Sequence, residues 1–289
     1  MFNKAEELLK LCNENNKKIS EIVIQKEIKN SGVTYDELMN RMRYTLSVMK
    51  NSATSALNKE IRSVSGLTGG DSKKVEEYKN SGKALTGGLI ISAMAKALST
   101  SEINASMGRI VAAPTAGASG ILPSALLSAG EKLGLTDDDL IAGLFAAAGI
   151  GEIVAKNATV SGAEGGCQAE CGTAAAMAAA AIVEMAGGTP EASFDAASFA
   201  LVNIMGLVCD PIGGLVEYPC ALRNASGVVN ALISADLALA SVQSLVPFDE
   251  VVEAMYKVGK LLPESLRETA LGGVATTPTG EKLRREIEH

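Results

Sequence analysis

Apolar positions recur at three- and four-residue spacing through most of this chain, and that period predicts helices almost from end to end. In "EELLKLCNEN" and "ISEIVIQKEI" charges separate the apolar residues, which predicts two amphipathic helices near the start. Thr34 stands three residues before Glu37. This is the arrangement of a capping box, and it predicts a helix running on through "YDELMNRMRYTLSVMKNSATSAL". A glycine-rich break, "SGLTGGDSKK" (Ser65 to Lys74), follows. Beyond it the polar positions thin out and buried helices are expected at "GGLIISAMAKAL", "GILPSALLSAGEKLG", "DDDLIAGLFAAAGIGEIV", "AAAMAAAAIVEMAGG" and "FDAASFALVNIMGLVC". Thr136 with Asp139 repeats the capping pattern. Strand-like alternation is scarce, and the β-branched residues fall inside helical periods. The expected fold is therefore all-α. One large helical domain spans 1–289, its Ala/Gly-rich buried helices joined by glycine-rich loops, with a candidate hinge near 63–83.

Composition sharpens this picture. Aromatic residues make up only 3% of the 289 and Trp is missing, so the core must pack by close backbone approach rather than by large side chains. A net charge of −7 argues against a nucleic-acid or anionic-membrane surface. The longest uncharged run, Ile110 to Gly130, is broken by Pro114, Pro123 and several glycines, and the next, Ala196 to Cys209, is too short to cross a bilayer. The first residues are charged and amphipathic, unlike a secretory signal. Five cysteines without such a signal point to reduced thiols in the cytoplasm rather than to a disulfide framework.

The cysteines differ in their flanks. Cys12 lies on the apolar face of the first helix and reads as a small buried hydrophobe. Cys171 follows Cys167 by one helical turn, and spacing alone supports no zinc or ferredoxin site. Cys167 follows Gly165 and Gly166, Cys209 heads "CDPIGG", and Cys220 ends "VEYPC". These three sit at helix edges, where a thiolate can turn toward a shared ligand. The glycine loops "GLTGG" and "APTAGASG" can aim backbone N–H groups at a carboxylate, with Thr68, Gly69, Gly70, Thr115 and Ser119 as candidate substrate contacts. Helix termination and close packing explain the same glycines equally well. Neither loop is a nucleotide loop, since no GxxxxGK[ST] occurs.

"SGAEGGCQAECG", "GLVCDPIGGLVEYPCALRNA", "VAAPTAGASGILPS", "SGLTGGDSKK" and "LGGVATTPTGEKL" together resemble the signature segments of iron–sulfur-dependent L-serine dehydratases, in the α chain of the two-chain form. The resemblance runs over most of the chain. It implies a [4Fe–4S] cluster held by Cys167, Cys209 and Cys220, with Cys171 as a packed neighbour. It implies β-elimination of water from L-serine to pyruvate and ammonia, one iron lacking a cysteine ligand and acting as a Lewis acid. A related cysteine desulfidase and a non-catalytic helical subunit stand as alternatives.

No general base is evident. The single histidine, His289, is the last residue, a poor position for a base. Lys59, Lys83 and Lys156 could act only if desolvated, and Glu164, Glu170, Asp210 and Glu217 could hold the substrate amine. The family carries a smaller His-containing domain, either fused or as a separate β chain, and no such segment occurs here. The resemblance therefore implies a β-chain partner, in a heterodimer or larger assembly, that supplies the base.

Overall fold

The computed structural model describes residues 1–288, so His289 lies outside the described residues. Thirteen α-helices follow in chain order: α1 (Ala5–Asn15), α2 (Ile19–Ser31), α3 (Tyr35–Thr54), α4 (Asp71–Asn80), α5 (Gly87–Ala105), α6 (Ile121–Leu133), α7 (Asp137–Asn157), α8 (Gly162–Gly165), α9 (Thr173–Met185), α10 (Pro190–Val202), α11 (Cys220–Leu239), α12 (Phe248–Leu261) and α13 (Pro278–Glu288). No strand forms among the described residues. The two isolated bridges pair Arg62 with Gly69 and Cys209 with Arg267. The all-α expectation holds. No helix among the described residues is long and apolar enough to cross a membrane.

Both expected capping boxes form. The Glu37 amide donates to the Thr34 hydroxyl (3.2 Å) while the Thr34 amide donates to the Glu37 carboxylate (2.9 Å), and Thr136 and Asp139 repeat the exchange at 3.3 and 2.8 Å. The glycine-rich break is shorter than its sequence suggests, because α4 starts at Asp71 within it. Its cap comes from another helix. The buried Glu102 of α5 accepts from the amides of Asp71 (2.6 Å) and Ser72 (2.9 Å), supplying from a distance what a local hydroxyl supplies to α3.

At the centre lies α9, buried at every position from Thr173 to Glu184 and packed by α6, α7, α10 and α11. Alanines fill most of it, so its neighbours approach closely, as the low aromatic content requires. Its two methionines settle over glycines of α7, Met177 against Gly151 and Met185 against Gly143. Just before α9 the chain makes a π-helical turn, Gln168–Gly172. Such turns lie frequently at functional sites. The C-terminal half of α12 lies across α8 and this turn, the first residue of α11 is Cys220, and the segment from 203 to 219 brings Cys209 in from the end of α10. The fold thus delivers three separate cysteine-bearing segments to one end of the central helix.

Candidate metal centre

Cys167 occupies the residue before the π turn, and the turn is fastened at several points. Gln168 is buried. Its side-chain amide donates to the carbonyls of Gly165 (2.9 Å) and Met255 (3.1 Å), its side-chain oxygen accepts from the Gly206 amide (2.8 Å), and its own amide donates to the Leu207 carbonyl (3.0 Å). One side chain thereby locks the Cys167 segment to α12 and to the loop that leads to Cys209. That loop is tied in turn to the chain beyond α12. The Cys209 amide donates to the Leu266 carbonyl (2.9 Å) and the Glu268 amide to the Cys209 carbonyl (2.7 Å).

The Sγ atoms of Cys167 and Cys209 and a carboxylate oxygen of Glu170 all lie within 4.8 Å of one another. Cys220, the first residue of α11, lies outside this tight group. Burial, and then the charge on Cys167, push its thiol up to about 12. Cys167 itself is held far below the usual thiol range by hydrogen bonds from the Cys171 and Cys209 thiols and by the Arg223 guanidinium, against the opposing effect of burial. Hydrogen bonding to Cys167 followed by burial drives the Cys171 and Cys209 thiols in the opposite direction. One preformed thiolate, ringed by further thiols, is the donor chemistry of a soft metal site. Gly162 lets the backbone pass close to these donors. A Cβ on Gly162 would sit 2.6 Å from a Glu170 oxygen and 3.2 Å from the Cys209 sulfur. Cys12 is buried on α1, its thiol pushed up to about 12 by burial and then by Glu184, as suits a packing residue.

The other candidate residues divide between two places. The 113–120 loop reaches the cysteines at Glu170: a Cβ on Gly117 would lie 3.5 Å from both of its carboxylate oxygens, and Thr115 opposes the rise of its carboxyl. Ser119 is buried and donates to the Ala116 carbonyl (2.7 Å), closing its own turn. Thr68 donates to the buried carboxylate of Glu217 (2.9 Å), which also accepts from Ser65 (2.8 and 3.0 Å). The loop carrying Gly69 and Gly70 is thus bound to the segment that leads into Cys220, beside a cavity of about 390 Å³ that Thr68, Tyr218 and Val274 help line. A roomier cavity of about 620 Å³, between α1, α10 and the start of α12, has no cysteine in its lining. Lys59, Lys83, Lys156 and Glu164 are exposed, and Lys156 pairs with Glu152 at 2.7 Å.

Glu170 carries the most unusual carboxyl of the site. Burial, and then the charge on Cys167, raise it from its ordinary 4.5 to about 7, so it can hold or release a proton at neutral pH. A carboxyl raised on folding binds its proton more tightly in the native state. Stability therefore falls as pH climbs from 4.5 to about 7, and the full cost persists above. At ~1.4 kcal/mol per unit, Glu170→Gln is expected to stabilise the metal-free chain by up to ~3 kcal/mol near pH 8 and by almost nothing near pH 4. Urea denaturation at the two pH values checks this, and an equal gain at both would contradict it.

The sequence profile described as "Serine dehydratase alpha chain" matches residues 14–275. The chain belongs to the serine dehydratase alpha-chain family. It is 54% identical over 287 residues to the "L-serine dehydratase, alpha chain" of Peptoniphilus asaccharolyticus, covering 99% of this chain and 98% of that one. The "Probable L-serine dehydratase, alpha chain" of Bacillus subtilis (strain 168) is 49% identical over 287 residues, with coverage of 99% and 95%. The "L-serine dehydratase" of Helicobacter pylori (strain ATCC 700392 / 26695) is 38% identical over 285 residues, which take in 96% of this chain but only 62% of that longer one.

Within this serine dehydratase α-chain scaffold, three residues hold the site together: Gln168 and Arg223 carry no clear mark in the sequence, and Asp210, a sequence candidate for the substrate amine, instead accepts from Arg223. Gln168 stands out only as a long polar side chain among small apolar ones. Arg223 donates to the Cys167 sulfur (3.3 Å) and to Asp210 (2.7 Å), and Asp210 is nearly fully buried. Arg223 lies three residues beyond Cys220, a spacing that places it on the same side of α11.

Proposed function

We propose that this chain is the α chain of an L-serine dehydratase, an L-serine ammonia-lyase that eliminates water from L-serine to give pyruvate and ammonia. The approach of Cys167, Cys209 and Glu170 within 4.8 Å, in segments typical of the family, carries this reading. Cys167, Cys209 and Cys220 would hold a [4Fe–4S] cluster, which when bound supplies an iron without a cysteine ligand as a Lewis acid for the departing hydroxyl. The lowered Cys167 thiol and the close approach of Gly162 to the Cys209 and Glu170 donors fit such a group.

The chain's own contribution is placement and proton handling. The loop that carries Thr115 and Gly117 packs against the Glu170 carboxyl, which holds a proton near neutral pH beside the cysteines. The "APTAGASG" backbone, which carries Thr115, is available to a substrate carboxylate, and Glu217, fixed by Ser65 and Thr68, holds the "GLTGG" loop in register with the Cys220 segment. In the balanced reaction the Cα–H and Cβ–O bonds break and water leaves. The resulting enamine tautomerises and is hydrolysed to pyruvate and ammonia.

The alpha-chain relatives support a β-chain partner in a heterodimer or larger assembly, and the five unpaired cysteines suit a reducing cytoplasm. Serine is expected to outrun cysteine as substrate. Pyruvate, ammonia and sulfide are measured for the anaerobic complex given L-serine, L-threonine or L-cysteine. Sulfide release from cysteine faster than pyruvate release from serine would reassign the chain as a desulfidase.

A further inference from the structure

Beyond the thiols themselves, one charged relay joins the candidate centre to the segment between α12 and α13. The Arg223 guanidinium forks. One nitrogen donates to Cys167 Sγ at 3.3 Å and the other to Asp210 Oδ1 at 2.7 Å. The second oxygen of Asp210 accepts from the Val274 amide at 2.7 Å. Gly273, at φ +62°, lies so close to Asp210 that a Cβ there would fall 2.1 Å from Oδ2. The backbone can pass Asp210 at this distance only as glycine. The same stretch of chain pairs with Cys209, the residue before Asp210, through Leu266 and Glu268.

We propose that Arg223 and Asp210 are positioning residues: Arg223 fixes the Cys167 sulfur for metal ligation, and Asp210 fixes Arg223 while clamping the 266–277 segment onto the site. Neither residue touches the reacting atoms in this assignment. The physical case rests on matching donors to acceptors. A carboxylate offers an oxygen to each of two donors, and a planar guanidinium can serve a sulfur and a carboxylate at once, which neither an amide nor an ammonium does as well. Asp210→Asn leaves one of the two donors, the guanidinium or the Val274 amide, facing an NH₂ group. Arg223→Lys keeps the charge but loses the fork.

The metal half of this assignment rests on Cys167 being a ligand; the clamp half does not. The test therefore has two readouts. In the metal-free full chain, hydrogen exchange is followed at 266–277 and, as a check on folding, at α9. After anaerobic loading with ferrous iron and sulfide, iron retained against a competing chelator and the visible charge-transfer spectrum are recorded. The variants are Arg223→Lys and Asp210→Asn, with Arg43→Lys, a surface residue paired with Asp138, as control. Both site variants are expected to weaken iron retention about 10-fold with a changed spectrum. They are also expected to speed exchange at 266–277 about 10-fold while α9 stays protected. The control should change neither. Iron retained as in the unmodified chain overturns the positioning of Cys167, and unchanged exchange at 266–277 overturns the clamp. An unmodified chain that takes up no iron defeats the cluster reading alone, because the exchange readout still decides the clamp.

Discussion

Replacing Cys209 by serine is expected to strip the chain of iron while leaving it folded. The hydroxyl nearly matches the thiol in size, so the Leu266 and Glu268 backbone bonds that hold this residue survive. It does not ionise near neutral pH and so cannot stand in for a thiolate ligand. Iron and acid-labile sulfide in anaerobically loaded protein should fall from stoichiometric to background. Serine turnover by the complex should fall about 10³-fold or more, since a Lewis acid supplies several kcal/mol to the transition state. The five thiols sort themselves in the same experiment. Cys167→Ser and Cys220→Ser should behave like Cys209→Ser, while Cys12→Ser should keep its iron. Cys171 is the sharp case, because its thiol hydrogen-bonds Cys167 and yet is assigned no metal bond. Cys171→Ala should retain iron. Loss of iron there, with iron kept in Cys220→Ala, would replace Cys220 by Cys171 in the ligand set.

The features legible in the sequence were those with local causes. Thr34 with Glu37 and Thr136 with Asp139 mark helix starts because both halves of each capping box lie within four residues. The Gly- and Pro-flanked cysteines stood apart from Cys12 for a similar reason, since the backbone bend is written beside the thiol. The features that escaped have distant causes. The polar sequence of α4 offers no hydroxyl cap, and its start is set by Glu102, some thirty residues on. The apolar run from Phe194 to Cys209 reads as one helix, but α10 ends at Val202. Past that point, Gln168 takes the Gly206 amide and Leu207 accepts from the Gln168 amide, contacts that an unbroken helix would forbid. Arg223 is unreadable in the same sense, and Asp210, though named, is readable only as a carboxylate near a motif, because their roles lie in Cys167 and Val274, far away in sequence. Glu170 could be named from its place between two cysteines. Its ability to hold a proton at neutral pH comes from burial beside the Cys167 thiolate, which only the fold creates.

Loaded with iron and sulfide but without a partner, the chain is expected to turn over L-serine about 10²- to 10⁴-fold more slowly than the two-chain complex, the share that a positioned general base contributes. The lysines first considered for that role, Lys59, Lys83 and Lys156, are exposed, and Lys156 is paired with Glu152. Glu170 has a suitable proton affinity, but its carboxylate lies within 4.8 Å of the Cys167 and Cys209 sulfurs, where it could itself serve as a metal ligand rather than as a base. The L-serine dehydratase of Helicobacter pylori is longer than this chain, which matches 62% of it. Purified α chain is assayed for pyruvate under anaerobic conditions, alone and then with its partner added. A rise on addition supports a base delivered in trans. Full turnover by the α chain alone would move the base into this chain, and Glu170→Gln then decides the matter. Its loss of activity would make Glu170 the proton acceptor, and its retention would require a base elsewhere in this chain.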